Sequence, residues 1–113
     1  MASAQRTLVK SQPELWQLVD QPGRIEGWSS GLFGYAARVS VTEHDPEVKL
    51  AWRASAGAEA ASIELALEQD GWGTTVVIEA DSEGATETRL EGWLEAVLDE
   101  LAEPEKRPFQ GIV

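Results

Sequence analysis

Residues 74–101 read TTVVIEADSEGATETRLEGWLEAVLDEL, and the hydrophobic period changes within them. Thr74 to Ala80 is rich in β-branched residues and reads as a strand. Asp81 to Gly84 breaks it. Leu90, Trp93, Leu94, Val97, Leu98 and Leu101 then recur at three- and four-residue steps, which places them on one face of a helix. A long helix to about Glu103 is expected, closed by Pro104. Glu87, Glu91, Glu95 and Asp99 form an acidic row on another face. Like charges at that spacing weaken a helix by roughly 0.2–0.5 kcal/mol per pair, so the apolar stripe must be held by packing on a sheet. Lys106 and Arg107 follow, near the negative end of the helix dipole. Pro108 to Val113 reads as a tail with Phe109, Ile112 and Val113 as anchors.

Working back from this helix, Asp70-Gly71 is a hairpin signal. Ile63, Leu65 and Leu67 alternate with Ser62, Glu64 and Glu68, giving a strand. Ala56-Gly57 turns the chain, and Val48, Leu50, Trp52 and Ala54 alternate with Lys49 and Arg53 in the strand before it. His44-Asp45-Pro46 reads as a turn. Phe33, Tyr35, Ala37, Val39 and Val41 share one face of a further strand whose other side is wet. Ser29-Ser30-Gly31 reads as a loop. A short helical piece is expected from Arg24 to about Trp28. Before it, Ser11 and Glu14 have the spacing of a capping box, with Pro13 in the first turn. Leu15, Trp16, Leu18 and Val19 form the apolar face of that first helix, which Asp20-Gln21-Pro22-Gly23 stops. A short first strand surrounds Thr7 and Val9. Separate β and α blocks point to an α+β layout with an antiparallel sheet.

The chain has 113 residues, 42% apolar and 26% charged, which fits one domain spanning 1–113 with one core. A net charge of −11 argues against nucleic acid and anionic membranes as partners. It serves solubility, or selects a basic or neutral partner. With no cysteine and one histidine, disulfides, thiolate metal sites, a cysteine nucleophile and two-histidine relays are excluded. No signal peptide and no run of apolar residues long enough for a membrane span is visible, so a cytoplasmic location is the default expectation. No cofactor and no metal is expected. The acidic row fans out along the helix, whereas a hard cation needs converging oxygens; a solvated face is the expectation. His44, flanked by Glu43 and Asp45, reads as a surface residue rather than an acid–base catalyst. No serine sits in a nucleophile-elbow string, and Gly31-x-x-Gly34 lacks the lysine of a phosphate loop.

The order of elements, with the strings SQPELWQLVDQPGRIEGW (Ser11 to Trp28), DPEVKLAWR (Asp45 to Arg53), GWGTTVVI (Gly71 to Ile78) and GWLEAVLDEL (Gly92 to Leu101), resembles the START-like superfamily, the polyketide cyclase/dehydrase or helix-grip proteins. Leu15-Trp16 matches the family's first-helix pair, Trp28 the end of its second helix, Leu50 to Arg53 the L-x-W-R-like strand, and Gly92-Trp93 the start of the last helix. Sixteen residues lie between Trp28 and Asp45, room for one strand where the family has more. The resemblance thus implies a reduced helix-grip: about five antiparallel strands curved around a long C-terminal helix. The shortened sheet leaves an edge that invites pairing, so a homodimer is one expectation.

The resemblance further implies a small, largely apolar ligand held without catalysis between sheet and helix. Its walls would be Trp28, Phe33, Tyr35, Trp52, Leu65, Trp93 and Val97; the alternation of its strand turns Tyr35 inward, where its hydroxyl needs a partner. The alternative is a collapsed pocket in a protein-interaction module, because protein interiors are usually filled. Catalysis is the weaker expectation, since inward polar groups are few. Trp16 is expected in the core. Trp72, in a turn, is either a contact residue or a cover for the hairpin end.

Overall fold

The computed structural model describes residues 1–103. They run β1 (Ala2–Leu8), α1 (Gln12–Val19), α2 (Arg24–Phe33), β2 (Arg38–Asp45), β3 (Lys49–Ala56), β4 (Glu59–Asp70), β5 (Gly73–Ser82) and α3 (Glu87–Ala102). The expectations for Pro104, Lys106, Arg107 and the 108–113 tail lie outside the described residues. The five strands form one antiparallel sheet in the order β1-β5-β4-β3-β2. The architecture is therefore the expected α+β fold, an open five-stranded sheet with a C-terminal helix.

Alternation sorts the sheet into two faces. Leu50, Trp52 and Ala54 of β3, Ile63, Leu65 and Leu67 of β4, and Val76, Ile78 and Ala80 of β5 point to the helices and are buried. The stripe Leu90, Trp93, Leu94, Val97, Leu98 and Leu101 of α3 is buried as its spacing requires. α3 packs chiefly on β1 and β5, and α2 lies between α3 and the β2–β3 side. α1 begins with the Ser11–Glu14 capping box, with both reciprocal bonds present, and buries Leu15, Trp16 and Val19. Among the described residues no helix is long and apolar enough to cross a membrane.

Four expectations are corrected. α2 does not stop near Trp28; it runs through Ser29-Ser30-Gly31 to Phe33. Its buried residues Ile25, Trp28, Ser29, Leu32 and Phe33 keep helical spacing, and Ser29 is buried because its hydroxyl accepts from Trp52. Gly34, at φ +84, ends the helix with its N–H on the Ser30 carbonyl. Phe33 is thus helical, and β2 starts only at Arg38. Tyr35 does not turn inward: it lies between α2 and β2, 53% exposed, with its hydroxyl donating to the Ala56 carbonyl at 3.1 Å. His44 and Asp45 belong to β2 rather than to a turn, which instead falls on residues 46–48, with Glu47 at φ 66. Finally, Val9 lies beyond β1 and Val48 in that turn; neither faces the core, and Val41 of β2 is also about half exposed.

Candidate functional site

The layer between the sheet and α3 is where the expected ligand walls meet. Trp28 and Phe33 come from α2, Trp52 from β3, Leu65 from β4, and Trp93 and Val97 from α3; all six belong to one buried core. Tyr35 is not among them. Trp52 and Leu65, the deepest of the set, are 0% exposed. Trp28 and Trp93 are 7% and 9% exposed and just reach the surface.

Each of these three indoles has one N–H to satisfy, and each is satisfied by protein. Trp93 donates to the Trp28 carbonyl at 2.7 Å and Trp52 to the Ser29 hydroxyl at 3.0 Å. Trp28 donates to the Glu100 carboxylate, whose other oxygen accepts from Arg24 at 2.9 Å. The Arg24 guanidinium also lies over the Trp28 ring, 5.9 Å from its centroid, and Trp28 stacks obliquely near Trp52 with centroids 6.4 Å apart. Arg89 of α3 donates to the Leu32 carbonyl at the far end of α2. The polar groups around the tryptophans therefore clamp α2 onto α3 and β3. Among the described residues no buried side-chain nitrogen or oxygen lacks a partner.

Ser29, Arg24, Arg89 and Glu100 were not expected to matter. Reading Ser29 as loop hid its contact with Trp52. Glu100 differs from the acidic row only in falling one position along the helix, a shift that brings it against α2. His44 is a surface residue, as expected. It lies 3.2 Å from Asp20 and packs edge-on against Trp16, fastening the end of β2 to α1. Among the described residues no group of three or more His, Asp or Glu could hold a metal. The outer face of the sheet carries an open groove of about 380 Å³ lined by Glu43, Arg53, Ser62, Glu64, Glu79 and Asp81, among others. Beside it, Lys49 is held above its ordinary value by its hydrogen bond to Glu64 and by the charge of Glu43.

No family model matches the sequence, and no curated protein matches it. Solved structures share its fold. DynU16, from the dynemicin biosynthetic locus, is similar with a TM-score of 0.72 at 16% identity, over 89% of this chain and 45% of its own, so this chain spans under half of DynU16. CalU16 from Micromonospora echinospora is similar with a TM-score of 0.68 at 15% identity, over 94% of this chain and 76% of its own. The Aha1 dimer from Colwellia psychrerythraea gives 0.65 at 14% identity, over 93% and 98%. At these identities the likeness is one of fold.

Proposed function

We propose that this chain is a non-catalytic member of the START-like superfamily whose interior is filled and which acts through its surface, as a protein-interaction module. One observation carries the reading: Trp52 and Leu65, at the heart of the expected cavity, have no accessible surface, and the indoles around them spend their N–H groups on protein. A ligand seat needs open volume and polar groups with capacity to spare; among the described residues Trp52 and Leu65 have no accessible surface and no buried side-chain nitrogen or oxygen lacks a partner, which supports the filled reading. The Aha1 protein of the same fold is a dimer, which supports association as a use for this scaffold.

A second reading keeps the small apolar ligand between sheet and helix. It is favoured by the clustering of Trp28, Trp52 and Trp93 in one layer, with two of them reaching the surface. In that case α2 must swing away from α3, breaking the Trp28–Glu100 and Arg24–Glu100 contacts. Titration of tryptophan fluorescence with a panel of lipophilic compounds separates the two. The filled interior predicts no saturable quenching; saturable quenching abolished by Trp93→Ala but not by Trp72→Ala would install the ligand reading in its place.

A further inference from the structure

We infer that the outer edge of β2 is a self-recognition surface, on which a second copy of this chain lays its own β2 antiparallel and extends the sheet across a two-fold axis. The inference rests on the surface-acting reading above and names its partner. β2 ends the strand order, and among the described residues nothing pairs with its far side. Seven of its eight residues are exposed, all but Val39. An edge of that length offers unpaired backbone donors and acceptors as a template for another strand.

The side chains say which strand fits. Arg38 opens β2, while Glu43 and Asp45 close it. Among the described residues Arg38 makes no ion pair, and Glu43 only reaches Lys49 at 4.0 Å. Charges on an edge usually repel a second copy, but here the signs are segregated to opposite ends. Antiparallel self-pairing about the middle of the strand brings each Arg38 to the acidic end of the other copy, twice by symmetry. Parallel pairing would set like against like, which destabilises a sheet. Between the charged ends, Val39 and Val41 stand on the helix side of the sheet, opposite Ala54 and Trp52 of β3, and Val41 is 48% exposed. A second β2 would cover this apolar strip.

Two features oppose the pairing and set its strength. The bulge between Val41 and Glu43 interrupts the ladder, so pairing is short, and an interface of this size is weak and concentration-dependent. Two chains of net charge −11 repel each other, but beyond about 8 Å that repulsion is screened at physiological ionic strength. The charge pairs across the junction lie inside that distance.

Sedimentation of the full chain over a concentration series tests this. The wild type should show a reversible monomer–dimer equilibrium. Arg38→Glu makes β2 wholly acidic but for His44, and Glu43→Lys makes it mainly basic; each should weaken self-association about tenfold, since two symmetry-related cross-strand pairs change sign. An equimolar mixture of the two variants should associate more strongly than either alone. Both positions are exposed, and far-UV circular dichroism verifies folding. A wild type that stays monomeric throughout, variants that dimerise as the wild type does, or a mixture no stronger than its components overturns the interface. A monomer that is also silent towards lipophiles removes this interface alone; a monomer that binds them removes the surface-acting reading as well.

Discussion

Replacing Leu65 by alanine measures how completely the interior is filled. Leu65 stands on the central strand β4 between Leu50 of β3 and Ile78 of β5, and it is 0% exposed. The truncation removes three carbon groups, about 2.4 kcal/mol at ~0.8 kcal/mol each. β3 and β5 are each paired on both sides, so the walls close in little. A residual void of roughly 60 Å³ then adds about 1.5 kcal/mol at ~24 cal/mol per Å³. The expected loss is about 4 kcal/mol, a large part of the roughly 5–15 kcal/mol that holds a typical domain. Urea unfolding followed by tryptophan fluorescence reads it as a lowered midpoint at constant slope. If a ligand cavity already lay beside Leu65, part of its side chain would face open space and fewer contacts would be lost. A measured loss below about 2 kcal/mol, the bottom of the range for buried leucines, would therefore refute the filled interior.

Trp93→Phe keeps most of the ring but leaves the Trp28 carbonyl without its 2.7 Å donor; urea unfolding should show a loss of about 1–3 kcal/mol. Gly73→Ala places a Cβ 2.2 Å from the Leu8 carbonyl oxygen and forces β1 from β5, so thermal melts should show a loss of about 3 kcal/mol or more. Gly92→Ala, with nothing within 4 Å of the new Cβ, should raise stability by about 0.5–1 kcal/mol in the same assay. Lys49 titrates above its ordinary 10.5 in the folded protein because Glu64, and then Glu43, favour the ammonium. Its contribution is therefore complete below pH 10.5 and lost as pH rises through the raised value. Lys49→Met should flatten this alkaline loss in urea midpoints measured across that range; an unchanged slope sinks the assignment.

The fold was legible wherever one period ran without interruption. The stripe of α3 and the alternation of β3, β4 and β5 are each set by burial on a single face, and the structure follows them except at Val48, which falls in the turn before β3. The region around Ser29-Ser30-Gly31 was not legible. Those residues have loop chemistry by local propensity, yet tertiary contacts override it, because Ser29 supplies the acceptor that lets Trp52 be fully buried. The same misreading carried Phe33 and Tyr35 into a strand and gave Tyr35 an inward face it lacks. For the site, the sequence located the aromatic residues of the inner layer but not whether space was left among them. That depends on the depth at which α2 and α3 sit, which is fixed by the Glu100, Arg24 and Arg89 contacts and has no periodic signature.

The two edges of the sheet explain what the acidic row of α3 is for. Arg6 of β1 reaches Glu95 and Asp99, each at 2.6 Å, and the terminal amino group of Met1 lies 3.3 Å from Glu87. Exposed pairs of this kind contribute little to stability, so the hold of α3 on the sheet comes from its apolar stripe. What the pairs add is direction: they fix the acidic side of the helix beside β1 and protect that end of the sheet. At β2, among the described residues, only His44 of the titratable side chains reaches a helix, through Asp20 at the end of α1; Arg38, Glu43 and Asp45 are exposed and segregate along the strand. The net charge of −11 discourages indiscriminate association. An edge that is bare in a chain of this charge is therefore selective by its local pattern, and a partner must present acid opposite Arg38 and base opposite Glu43 and Asp45 in antiparallel order. The chain's own β2 meets that requirement.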